Sequence, residues 1–88
     1  MPRFIIERDV GEITREELDA IGRRSAEIAD AMPGVVWIRS YVSDAEGKVY
    51  CEYDAPNEEA VREHARRVGI PADRISEVAL EISPTMFR

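Results

Sequence analysis

The stretch VVWIRSYVSDAEGKVYCEYDAP, residues 35–56, decides the fold, because it predicts two strands joined by a tight turn. Apolar and polar side chains alternate over residues 35–43 and again over residues 48–55, as they do in half-buried strands. Between them, DAEG at residues 44–47 supplies the Asp and Gly that a tight reversal favours. We therefore expect an antiparallel hairpin.

The alternation assigns the hairpin side chains to two faces. On the first strand, one side carries Val36, Ile38 and Val42, and the other carries Val35, Trp37, Arg39 and Tyr41. On the second strand, one side carries Val49, Cys51 and Tyr53, and the other carries Tyr50, Glu52 and Asp54. Arg39 and Glu52 are then expected on the same face of neighbouring strands, where a guanidinium can meet a carboxylate.

A strand and a helix are predicted before the hairpin. RFIIERD, residues 3–9, has the composition and alternation of a strand. Thr14 followed three residues later by Glu17 is a capping box, in which the hydroxyl and the carboxylate accept hydrogen bonds from backbone amides that the helix leaves unpaired. The apolar stripe of this helix continues until MPG at residues 32–34, where Pro and Gly end it.

A second helix and a fourth strand are predicted after the hairpin. Asn57 is expected to cap the helix and Gly69 to end it, and the strand is predicted over residues 74–83. The βαββαβ order predicts an α+β ferredoxin-like sandwich, in which two helices cover one face of a four-stranded antiparallel sheet. We expect a single ferredoxin-like domain over residues 1–88.

The sheet face away from the helices is expected to be open. The alternation places aromatic and charged residues there, namely Glu7, Trp37, Arg39, Tyr41, Tyr50, Glu52, Glu77 and Glu81. A chain of this length buries only about 60–65% of its unfolded surface, and a second copy covering the open face would add to that burial. We therefore expect a homodimer in the form of a dimeric α/β barrel.

Composition excludes several classes of partner. The formal net charge of −6 repels nucleic acid and anionic membranes, and no apolar run approaches the ~20 residues of a membrane span. The third strand, KVYCEY, also lacks the glycine and basic residues of an RNA-recognition module. Cys51, the only cysteine, cannot form an intrachain disulfide, which fits a reducing compartment. We expect a cytoplasmic protein.

Catalytic machinery is not predicted by any motif. No His or second base accompanies Ser40 on its strand, and the chain lacks a nucleophile elbow and a Gly-rich phosphate loop. The aromatic face leaves one further hypothesis, in which Trp37, Arg39, Tyr41 and Glu52 line a pocket for a small ligand or for cofactor-free catalysis. Alternatively, the aromatic residues form the core of the dimer interface.

Three residues are candidate metal ligands. His64, the only histidine, lies on the apolar stripe of the second helix, and Cys51 lies on the helix-facing side of its strand. Imidazole and thiolate suit nickel and zinc, and Glu77 could add a carboxylate. The alternatives are a buried His64 held by one hydrogen bond, a buried apolar Cys51, and solvated carboxylates at Glu7, Glu77 and Glu81.

Four segments resemble a family of small ferredoxin-like nickel-binding (nickel-responsive) proteins of otherwise unknown function: FIIERD, WIRSYV, YCEYDAP and REHARRVGIPADRISEV. The similarity spans Phe4 to about Pro84, and the Trp-x-x-Ser-Tyr strand is among its most specific parts. The resemblance implies a cytoplasmic homodimer that binds nickel and carries no enzymatic activity.

Arg39 is the main departure from that family. The family strand commonly reads Trp-x-His-Ser-Tyr, so Arg39 stands where the relatives carry an imidazole. A guanidinium does not deprotonate and cannot ligate a metal. Glu52 likewise stands where an apolar residue is usual, and a pair between Arg39 and Glu52 would explain both changes. The resemblance thus implies nickel binding that Arg39 weakens.

Overall fold

The computed structural model describes residues 1–88 and contains four strands and two α-helices. In chain order they are β1 (Arg3–Asp9), α1 (Arg15–Ala31), β2 (Val36–Ser43), β3 (Lys48–Asp54), α2 (Glu58–Val68) and β4 (Arg74–Glu77), followed by a 3₁₀ turn (Pro84–Phe87). The strands form one antiparallel sheet in the order β2-β3-β1-β4. The predicted ferredoxin-like fold is confirmed.

Both helices begin at the predicted caps. The Glu17 amide donates to the Thr14 hydroxyl at 3.1 Å, and the Thr14 amide donates to the Glu17 carboxylate at 3.0 Å. These bonds to Thr14 lower the pKa of Glu17. At α2, the Ala60 amide donates to the Asn57 side chain at 2.9 Å, and Gly69 ends the helix with a left-handed φ of 84°. Neither helix is long and apolar enough to cross a membrane.

The hydrophobic core lies between the sheet and the two helices. It contains alternate residues of β1 and β3, one residue of each helix, and the residues just before β2 and just after β3: Phe4, Ile6, Ala29, Val35, Val49, Cys51, Tyr53, Ala55 and Val61. On β3 the alternation is regular, with every second side chain buried. The core-facing side of the sheet is therefore the one that sequence alternation assigned to Cys51 and Tyr53.

The fourth strand is shorter than predicted, and the expectation of a strand over residues 74–83 is wrong. Its pairing with β1 matches Glu77 to Phe4, and the Val78 amide then donates to the Arg3 carbonyl at 2.8 Å. Because β1 begins at Arg3, no strand remains to pair with the chain beyond Val78. The register also places Glu77 on the side of Phe4, so its assignment to the open face is wrong.

The segment after β4 leaves apolar side chains exposed. The predicted strand put Leu80 and Ile82 on the face opposite Glu77 and Glu81, toward the core, but they are 75% and 61% exposed. Met86 and Phe87 in the terminal turn are also mostly exposed. Glu81 lies in this segment as well, 3.4 Å from the Arg3 guanidinium, and not on a strand of the open face.

Candidate functional site

A β-bulge in β2 separates Trp37 from Arg39 and overturns the faces assigned to Val36 and Trp37, since Val36 pairs with Asp54 of the open face. Trp37 pairs with Tyr53, but Arg39 pairs with Glu52, which leaves Ile38 without a partner in the register. Directly paired residues share a face, so Trp37 joins the buried Tyr53 on the helix-covered side while Arg39 lies on the open side. Strict alternation placed both on the open face, because it does not allow for an extra residue.

A chain of hydrogen bonds starts at Trp37 on the helix-covered side. The indole N–H donates to the Ser40 hydroxyl at 2.9 Å, and that hydroxyl donates to the Cys51 Sγ at 2.9 Å. The Trp37 ring also stacks with Tyr53, with centroids 6.4 Å apart and planes at 15°. The bulge is what allows Trp37 and Ser40, three residues apart, to share one side of the sheet.

Arg8 is a buried charged residue beside this group that sequence reasoning missed. Its side chain is on the core-facing side of β1 and is only 2% exposed. Arg8 Nε donates to Cys51 Sγ at 3.4 Å, and Nη1 donates to the Pro71 carbonyl at 2.8 Å. The alternation of Phe4, Ile6 and Arg8 along β1 was the signal that could have revealed it, since it places the arginine in line with two core residues.

A cavity of about 860 Å³ lies between α1 and the sheet, beside this group. Ten of its 18 lining residues are hydrophobic, so most of its wall is apolar, and Arg8, Ser40 and Cys51 also line it. Of the four residues predicted to line a ligand pocket, only Trp37 lines this cavity. Arg39, Tyr41 and Glu52 lie on the opposite side of the sheet.

His64 of α2 is buried in the core, where it contacts α1 and the Tyr53 ring of β3. It is 1% exposed, and its Nε2–H donates to the Ser25 carbonyl of α1 at 3.0 Å, because a carbonyl can only accept. Its ring centroid is 5.0 Å from that of Tyr53. Burial lowers the pKa of His64 and the Arg8 charge lowers it further, while the bond to Ser25 opposes them. Burial also raises the pKa of the Tyr53 hydroxyl.

The open face carries charged side chains that are already paired. As predicted, Arg39 and Glu52 meet there, with Nε 3.8 Å from Oε1. The Arg39 side chain is 61% exposed, so the pair is worth at most about 1 kcal/mol. On the same face, Lys48 Nζ lies 3.6 Å from Glu7 Oε2, and Glu7 raises the pKa of Lys48. The two central carboxylates of this face thus each have a cation beside them.

The family described as nickel responsive protein, SCO4226-like, matches residues 4–78. The chain belongs to this family. SCO4226 from Streptomyces coelicolor A3(2), known from a crystal structure, is 27% identical to the chain and superposes with a TM-score of 0.81. The match covers 91% of this chain and 99% of that chain. No curated protein matches the sequence. The resemblance inferred from the sequence is confirmed.

The potential metal ligands of a single chain are not arranged as a nickel site, although the family is described as nickel responsive. No group of three or more His, Cys, Asp and Glu side chains is arranged to hold a metal ion. His64 Nε2 is bonded to a backbone carbonyl in the core, and Cys51 Sγ accepts a hydrogen bond from the Arg8 cation. Glu77 lies exposed on the edge strand β4. The structure does not bring these three predicted ligands together within one chain.

Proposed function

We propose that the protein is a non-enzymatic, cytoplasmic homodimer that binds nickel with low affinity, through ligands drawn from two subunits. The observation that carries this proposal is membership of the nickel-responsive family over residues 4–78. The misfit of the single-chain donor set supports the requirement for a second subunit. The free thiol of Cys51 agrees with a reducing compartment.

The open sheet face is the proposed dimer interface. Ile5, Val36 and Tyr41 lie on this face and are between 36% and 56% exposed, which leaves apolar surface in water on one side of a small domain. A second sheet laid against it would bury these side chains in both copies. The pairing would also bring Glu7 and Glu52 of one subunit near the same carboxylates of its partner.

Arg39 is the proposed cause of the low nickel affinity. Its guanidinium cannot ligate a metal, and its positive charge repels a divalent cation that approaches the open face. It also lies 3.8 Å from Glu52, which is one of the few carboxylates on that face. Replacing Arg39 with His removes the charge, releases Glu52 and supplies an imidazole in the same place.

Equilibrium dialysis against nickel tests this proposal. We expect Arg39→His to bind nickel about tenfold or more tightly than the wild-type protein. The matched control is Arg74→His, which places an imidazole on the open face at the edge strand β4 and should bind like wild type. Absence of nickel binding in both the wild-type protein and Arg39→His would refute the proposal.

His64→Gln distinguishes the proposed site from the ligand set of His64, Cys51 and Glu77. Because His64 is buried and hydrogen-bonded, we expect nickel uptake to be unchanged in this variant. A loss of uptake would show that His64 is a nickel ligand.

The proposed dimer is tested by sedimentation, which should report twice the 10.0 kDa mass of the chain. A monomer at all concentrations would contradict it.

A second candidate function, binding of a small molecule, is favoured by the cavity beside Trp37. The sequence suggested such a pocket on the open face, but Arg39, Tyr41 and Glu52 line no cavity in the single chain. Small-molecule binding is therefore better placed on the helix-covered side of the sheet.

A further inference from the structure

The cavity between α1 and the sheet has an uncompensated cation in its wall. We infer that it binds a small carboxylic acid with an apolar body, and that Arg8 holds the carboxylate of this ligand. The inference does not depend on nickel, because the cavity lies on the helix-covered side and the proposed nickel site lies on the open face.

Arg8 is buried without a counter-charge. It takes part in none of the salt bridges of the molecule, although it is 2% exposed. A charged group removed from water is costly unless an opposite charge and hydrogen bonds replace its hydration. An arginine in this position therefore has a strong electrostatic preference for an anion.

The hydrogen bonds of Arg8 are also incomplete. A guanidinium has five N–H donors, but here the partners are the Cys51 thiol and the Pro71 carbonyl, and Nη2 has none. The Tyr53 ring, 5.9 Å from the guanidinium carbon, offers only a weak cation–π contact. Nη2 is shielded from water-sized probes, so an entering carboxylate reaches it only when the guanidinium turns toward the cavity. The carboxylate would then supply both the missing charge and acceptors for the free donors, since its two oxygens match the guanidinium fork.

The remaining cavity wall determines the rest of the ligand. The wall is lined by apolar side chains from α1, the sheet and the loops, including Val10, Ile13, Leu18, Ile21, Val42 and Ile70. A volume of about 860 Å³ is within the range of small-molecule sites, and an apolar wall favours an aromatic ring or an alkyl chain. A metal cation is disfavoured, because the buried charge of the wall is positive.

The charges at the cavity mouth indicate a single negative charge on the ligand. Arg15 is held by Asp19 at 2.8 Å, so these two charges offset each other. Arg23 and Asp44, both exposed, are of opposite sign and also line the cavity. The other lining charges cancel, so the lining has a net charge of one positive unit, at Arg8. This net charge matches a monocarboxylate better than a phosphate dianion.

Trp37 provides the measurement. It is the only tryptophan of the chain and it lines the cavity, so its fluorescence reports a ligand that enters. The full-length protein is titrated with benzoate and octanoate, and with benzamide and octanamide as neutral counterparts of the same shape. We expect each acid to change the fluorescence and to bind about tenfold or more tightly than its amide, the usual size of a charge-assisted hydrogen bond.

Two variants assign the effect to Arg8 and to the cavity. Arg8→Met keeps the length of the side chain without its charge and should remove the preference for the acids, while Arg62→Met, on the exposed side of α2, should preserve it. Gly22 lines the same cavity, and a Cβ added there would meet only Trp37, so Gly22→Leu fills the cavity while the Arg8 side chain is retained. It should weaken both acids about tenfold or more. It also keeps the test decisive if Arg8→Met does not fold.

The inference is overturned by any of three results. The first is no binding of either acid at millimolar concentration, and the second is equal binding of acids and amides. The third is binding that persists unchanged in the folded variants at Arg8 and Gly22. Nickel binding should be the same in wild type and Arg8→Met, so a failure here leaves the nickel proposal intact and the reverse is also true.

Discussion

Acidification is expected to destabilise the protein through His64. The ring is 1% exposed and donates a hydrogen bond to the Ser25 carbonyl, so the folded state holds it in the neutral form. Burial lowers the pKa of His64 below the value of about 6.5 that it has in the unfolded chain. Below about pH 6.5, the imidazole binds a proton in the unfolded state but not in the folded state. The free energy of unfolding therefore decreases as the pH falls.

The decrease in the free energy of unfolding is limited by the uptake of one proton at His64. Between the unfolded and the folded pKa of His64, the free energy of unfolding falls by at most about 1.4 kcal/mol for each pH unit. The Arg8 guanidinium, whose charge acts on His64, stays protonated in proteins. Tyr53, which contacts the ring, and Glu63, which precedes His64 in α2, do not change charge in this range either. Burial raises the pKa of Tyr53 and keeps it neutral, and hydrogen bonds from Arg66 and Arg67 lower the pKa of Glu63 to about 2 and keep it ionised.

Urea denaturation at a series of pH values between about 5 and 7.5 measures this loss, with His64→Gln as the control variant. The Gln amide can donate to the Ser25 carbonyl and does not titrate. Above about pH 6.5 the wild-type free energy of unfolding should be flat, and below it the wild-type curve should fall more steeply than that of the variant. Parallel curves over the whole range would refute the neutral, buried His64.

Two glycine substitutions should change the free energy of unfolding in opposite directions. Gly22→Ala should raise it by about 1 kcal/mol, because glycine is unfavourable inside α1 and the added Cβ would meet only Trp37 at 3.9 Å. An unchanged urea midpoint would argue against the open space between Gly22 and Trp37. Gly47→Ala should lower it by about 1–3 kcal/mol, because φ is +65° and the Cβ would lie 3.1 Å from the Gly11 backbone. A neutral effect at Gly47 would mean that the hairpin turn adopts another conformation.

The parts of the fold that the sequence predicts correctly depend on local chemistry. The capping box of Thr14 and Glu17, the Asn57 cap and the left-handed Gly69 each follow from hydrogen bonds or backbone angles within a few residues. The pairing of Arg39 with Glu52 is also correct, because the bulge lies before Arg39 on β2 and the alternation is regular from Arg39 onward and along β3.

The errors involve features that depend on distant parts of the chain. The bulge that moves Trp37 to the helix-covered side leaves no mark in the alternation of β2. The end of β4 depends on where β1 begins, so the sequence from residue 78 to 83 cannot show it. Arg8 aligns with Phe4 and Ile6, but its burial without a carboxylate emerges only when β1, β3 and the Pro71 loop are assembled.

The most direct test of the proposed function is a crystal structure of the protein soaked with nickel, with anomalous scattering to locate the ion. The proposal predicts two subunits paired through their open sheet faces, with nickel between the faces near Arg39 and Glu52. It also predicts no nickel at His64 or Cys51. Nickel bound to His64 and Cys51 within one subunit, or open faces that remain unpaired, would contradict it.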